Sequence, residues 1–100
     1  MYIDCSDDNI IGGTTVADRN IISGNAYYGI AILGDDVGCP ATGNSVLGNF
    51  IGIKKDGATA LPNQYGVYME DVADSIIGGS ATYAGNVISG NTLDNVYIGK

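Results

Sequence analysis

Apolar residues along this chain fall in short runs of three to five, and each run is bounded by Asn or Gly. Asn20-Ile-Ile-Ser-Gly-Asn25 is echoed by Asn44-Ser-Val-Leu-Gly-Asn49 and by Asn86-Val-Ile-Ser-Gly-Asn91. A second run appears as Gly29-Ile-Ala-Ile32, Gly66-Val-Tyr-Met69 and Asn95-Val-Tyr-Ile98. Branched residues between positions that tolerate positive φ predict strands separated by bends. No segment keeps apolar residues at helical spacing for three turns, so no helix is expected. Strands are expected at 2–4, 9–12, 20–24, 30–33, 45–48, 50–53, 67–70, 75–78, 86–90 and 96–98, with loops projecting at 34–43 and 54–65.

These runs recur with a fixed period. Positions 9–34 lie over 75–100 without a gap, a shift of 66 residues, and ten of the 26 pairs are identical. The phase extends backwards, since Met1-Tyr-Ile-Asp4 lies over Val67-Tyr-Met-Glu70. Such repetition predicts a stack of similar units instead of one closed core. Three short strands per unit, each paired with its counterpart about 4.8 Å away, describe a parallel β-solenoid. The expected coils are 1–28, 29–65 and 66–94, with 95–100 opening a fourth, all within a single segment of a longer array. Alternation along each strand turns Ile3, Ile11, Ile22, Ile30, Ile32, Val46, Ile51, Val67, Met69, Ile77, Ile88, Val96 and Ile98 inward. The nine asparagines fit the corners, where they can bond to backbone or to one another from rung to rung.

The chain resembles the right-handed parallel β-helix repeats of large bacterial and archaeal cell-surface and secreted proteins. The likeness covers essentially the whole chain. It includes Gly48-Asn-Phe-Ile-Gly52, Asp56-Gly57, Ala60-Leu61, Asn63 and Gly66-Val67, a long-loop coil that recurs in that family. The resemblance implies the pectate-lyase-like fold, its right-handedness and an extracellular or cell-surface setting. It does not select an activity, because the family holds lyases, hydrolases, adhesins and spacers.

Charge narrows the partners. The net charge is −7, and the basic residues are Arg19, Lys54, Lys55 and Lys100. That balance argues against nucleic acid and against anionic membranes. No apolar run approaches a membrane span. Open strand edges at the two ends of a short solenoid instead favour contact with other β-helix segments, including self-association by end stacking.

Three constellations are candidates for chemistry. Cys5 and Cys39 share one turn of adjacent coils, within disulfide reach, and would otherwise be two half-buried thiols. Asp4, Asp7, Asp8, Asp35, Asp36, Glu70, Asp71 and Asp74 all follow the first strand of a coil. Stacking would bring them to one edge, which invites a hard cation such as Ca²⁺ or else serves as a solvated, aggregation-blocking edge. Otherwise no cofactor is indicated. Tyr2, Tyr68 and Tyr97 take the outward middle position of the first strand, with Ala31 in the same place in coil two. Tyr2 and Tyr68 would stand about 9.6 Å apart, close to the length of a disaccharide. Rings so spaced can stack on sugar faces, although tyrosine is also a good exposed strand residue.

Catalysis has little to draw on. There is no histidine and Arg19 is the single arginine, so Ser23 and Ser89 have no base to activate them. Two readings follow. One is a non-catalytic structural or carbohydrate-binding module of an extracellular protein. The other is a fragment of a polysaccharide lyase or glycoside hydrolase whose catalytic residues lie elsewhere.

Overall fold

The structure is a computed structural model that describes residues 1–35 and 37–99. Its strands are β1 (Tyr2–Asp4), β2 (Ile10–Gly12), β3 (Ile21–Ile22), β4 (Tyr28–Leu33), β5 (Ser45–Leu47), β6 (Phe50–Ile51), β7 (Tyr65–Glu70), β8 (Ile76–Ile77), β9 (Val87–Ile88) and β10 (Val96–Gly99). One short 3₁₀ turn, Val16–Asp18, bends the link between β2 and β3. The strands form three parallel sheets in the orders β1-β4-β7-β10, β2-β5-β8 and β3-β6-β9. The chain therefore visits the three sheets in fixed rotation, and every strand pairs with strands one circuit away. The fold is all-β, with parallel pairing throughout these sheets.

The 66-residue period is the sum of two unequal circuits. Tyr2 pairs with Ala31, 29 positions on, and Ala31 pairs with Tyr68, 37 positions on. The next step, from Tyr68 to Tyr97, is again 29. Backbone conformation repeats with the same period. Cys5 and Asp71, Asp8 and Asp74, Gly12 and Gly78, and Gly24 and Gly90 are each 66 apart, and all eight have positive φ. At Gly12 the requirement is twofold, because a Cβ would also be driven into the Leu47 carbonyl.

Strand lengths follow from these bends. The β3, β6, β8 and β9 strands are shorter than the apolar runs suggest, because left-handed glycines at 24, 52, 78 and 90 turn the chain directly after them. β4 and β7 start earlier than expected, since Tyr28 and Tyr65 also pair. Part of the extra length of the middle circuit is a hairpin-like loop, closed by pairing of Ile53 with Ala60 and by the Lys54 amide bonding to the Thr59 carbonyl. Asp56 organises its tip by accepting from the Ala58 and Thr59 amides and the Thr59 hydroxyl, which lowers its pKa to about 2.

Inside, Ile11, Ile30, Ile32, Ala41, Val46, Ile51, Val67 and Met69 form the core, with Ile3, Ile22, Val72, Ile77 and Ile88 packed against it. Inward branched side chains stack on their register partners, so each circuit buries the apolar face of the next. The inner face of β10 is uncovered: Ile98 is 66% exposed.

Asparagines tie the circuits together at the corners. Asn44 Oδ1 accepts from the amide and side chain of Asn9, and its Nδ2 donates to the Ser6 carbonyl. Asn49 Oδ1 accepts likewise from Asn20, and its Nδ2 donates to the Ile11 carbonyl and towards Asn86 Oδ1. Asn86 Oδ1 in turn accepts from the Asn49 amide at 2.8 Å. Asn25, Asn63 and Asn91 repeat this arrangement at a third corner, where the last Nδ2 reaches Asn95. Asn44, Asn49 and Asn63 are wholly or almost wholly buried. Each satisfies backbone groups that leave the sheet at a bend and would otherwise be buried unpaired.

Asn49→Ala removes a buried side chain that serves three segments. Its unfolding free energy in urea should fall by about 2 kcal/mol or more. Asn20→Ala, at the exposed end of the same ladder, should cost under half as much. Equal losses, or a loss below about 0.5 kcal/mol for Asn49→Ala, would contradict a structural role for the ladder.

Candidate functional site

The outer face of the four-stranded sheet carries the densest aromatic patch. Register sets Tyr2, Ala31, Tyr68 and Tyr97 in one row across β1, β4, β7 and β10. Tyr28 and Tyr65, at the starts of β4 and β7, form a second short row beside it. Among the described residues, four rings make a continuous cluster. Tyr68 and Tyr97 stack at 4.7 Å between centroids with an 11° interplanar angle. Tyr28 lies 4.8 Å from Tyr68, and Tyr65 packs edge-on against Tyr68 at 5.3 Å and Tyr97 at 6.0 Å. Offset and edge-on pairs of this kind are attractive beyond their buried area.

Tyr2 stands apart from the cluster. Ala31 lies between it and Tyr68, too small to carry the stack across, and Tyr2 remains 63% exposed. The aromatic face is thus built from Tyr28, Tyr65, Tyr68 and Tyr97 rather than from a single column. Tyr97 is its most open member, at 37% exposed.

Glu70 extends this face. Its carboxylate Oε2 accepts the Tyr68 hydroxyl at 2.6 Å. That bond, followed by partial desolvation and the adjacent negative charge, pushes the Tyr68 phenol well above its ordinary value of 10.0. Asp4 and Glu70 lie in one register row, through Leu33, one outward step beyond the tyrosine row.

The remaining acidic residues serve the turns. Asp7 Oδ1 accepts from the Thr42 amide at 2.7 Å, and Asp35 Oδ1 accepts from the Val37 amide at 2.8 Å. Asp8, Asp71 and Asp74 adopt positive φ, a conformation that Asp tolerates better than most residues. Asp36 lies outside the described residues. Among the described residues, one group of three ligand-type side chains converges, Asp4 with Cys5 and Cys39, all within 4.8 Å. Cys5 and Cys39 are joined by a disulfide with their Cα atoms 4.9 Å apart, and hard cations prefer oxygen to such sulfurs. The acidic edge therefore offers separate turn caps more than a shared oxygen cage.

On the third sheet, Arg19 places its guanidinium carbon 4.0 Å from the Phe50 ring centroid. Gly57 of the hairpin-like loop approaches the same ring, while Leu61 and Ala60 reach the bends at Gly24 and Gly90. Arg19 is thereby engaged on a different sheet from the tyrosine cluster. No helix is long and apolar enough to cross a membrane among the described residues. No family model, curated protein or solved structure matches the chain.

The shifted phenol yields a titration test. A tyrosine whose folded pKa is raised stabilises the fold fully below the unfolded value of 10.0, and loses that contribution as pH climbs towards the folded value. In an alkaline absorbance titration of the folded protein, Tyr68 should ionise later than an ordinary exposed tyrosine. Tyr68→Phe should remove that late step. A late step that survives the substitution would assign it to another ring.

Proposed function

We propose that the chain is a segment of a right-handed parallel β-helix of the pectate-lyase-like kind, serving an extracellular or cell-surface protein as a non-catalytic module that contacts carbohydrate. Cyclic visits to three parallel sheets, with one circuit stacked on the next, support the fold reading. The Cys5–Cys39 disulfide supports an oxidising compartment.

The observation that carries the carbohydrate reading is the four-tyrosine cluster on the outer face of the broadest sheet. Aromatic rings present apolar faces to the C–H faces of pyranose rings, and their hydroxyls remain available to sugar hydroxyls. The sheet holds these rings, tilted and edge-on to one another, as one contiguous patch that an extended polymer could cross.

Screening against neutral, acidic and basic polysaccharides should find a ligand at millimolar or tighter concentration. Tyr68→Ala should weaken that ligand by about three- to tenfold, with an unchanged far-ultraviolet circular dichroism spectrum. If no polysaccharide class binds, the tyrosines are a packed strand surface and the chain is a structural spacer.

A further inference from the structure

We infer that the tyrosine face selects amino-sugar polymers bearing free amines, of the polyglucosamine type, over uronate-bearing and neutral polysaccharides. The inference rests on the carbohydrate-contact reading above and adds the chemical class of the sugar.

Stacking decides where a ligand can lie. Tyr68 and Tyr97 rest on each other at 4.7 Å, which leaves no room for a sugar between them. A ligand must lie across the exposed sides of the cluster, along the sheet. There it meets carboxylates directly. Glu70 is hydrogen-bonded to Tyr68, and Asp4 occupies the same outward row as Glu70. Oε2 of Glu70 accepts the hydrogen bond from the Tyr68 hydroxyl, and the carboxylate keeps its second oxygen for another donor.

Among the described residues, basic groups do not offset this charge on the face. Arg19 is committed to Phe50, and Lys54 and Lys55 follow β6 on another sheet. The Met1 ammonium donates to the Gly29 carbonyl at 2.7 Å, at the opposite end of the strands from Glu70. A uronate laid on the tyrosines would bring its carboxylate towards Glu70 and Asp4, a like-charge approach. A protonated sugar amine there donates a charge-assisted hydrogen bond to Glu70 and can make a cation–π contact with the face of Tyr97 turned away from Tyr68. Both terms act on the amine, while the exposed sides of the ring cluster hold the pyranose in register.

Binding of glucosamine oligomers can be read by tyrosine fluorescence at mildly acidic pH, where sugar amines and side-chain carboxylates are both charged. The free-amine oligomer should bind about tenfold more tightly than its fully N-acetylated form and than a galacturonate oligomer of equal length. Glu70→Gln keeps an acceptor for Tyr68 and should erase most of that preference without changing the circular dichroism spectrum. Added salt should weaken the free-amine oligomer and leave the acetylated one unaffected. If neutral or uronate oligomers bind as well as the amine form, carbohydrate contact stands and the selectivity falls. If no oligomer binds, both fall. If tetralysine binds as tightly, or Tyr68→Ala leaves the amine oligomer unaffected, charge alone governs binding and the inference fails.

Discussion

The asparagine ladders are the interaction on which the rest of this molecule depends. Parallel strands of two or three residues make few hydrogen bonds of their own, and each is followed by a bend that frees backbone groups. Buried Asn44, Asn49 and Asn63 answer those groups with both ends of one amide. The oxygen accepts from the neighbouring circuit's backbone, and the nitrogen donates to a carbonyl inside the corner. An amide bonded at both its oxygen and its nitrogen to the neighbouring circuit also fixes the vertical register, because a one-residue slip would leave both ends unsatisfied. Once register is fixed, Ile stacks on Ile and Ile on Met, and the core follows.

Uneven circuit length is tolerated for the same reason. The middle circuit takes eight more positions than the first between sheet partners, yet Asn49 and Asn63 still meet their counterparts. The extra chain leaves the stack as a hairpin-like loop with its own Asp56 turn, and loop-closure cost grows slowly with length. Corners are thus constrained by amide chemistry, and the links between them are free to vary.

Much of this was legible in the residues. Alternation and the 66-residue phase together fix which residues face inward and which share a row, and that is enough to align Tyr2, Ala31, Tyr68 and Tyr97. Tyr28 and Tyr65 were missed because the strands looked as if they began at the branched residues after Gly29 and Gly66. Their 37-residue spacing, equal to that of Ala31 and Tyr68, was the available signal. The acidic clusters read as a charged edge, while the structure has Asp8, Asp71 and Asp74 at positive φ, a role the matched 66-residue spacing of Cys5/Asp71 and Asp8/Asp74 could have suggested. Arg19 over Phe50 left no trace in the sequence pattern, since strand register does not determine the path of a long side chain.

The proposed function borrows this rigidity. A ring cluster can act as a platform only if the sheet beneath it does not shear, and the corners prevent shear. Residue-resolved amide hydrogen exchange tests that claim most directly. The amides of Asn49 and Asn63 donate to the Oδ1 atoms of Asn86 and Asn91 at 2.8 and 3.0 Å, outside any strand. They should be protected as strongly as the Phe50 and Val87 amides within the sheets. Exchange of these two amides at the rate of the exposed links, with the strands still protected, would contradict the account.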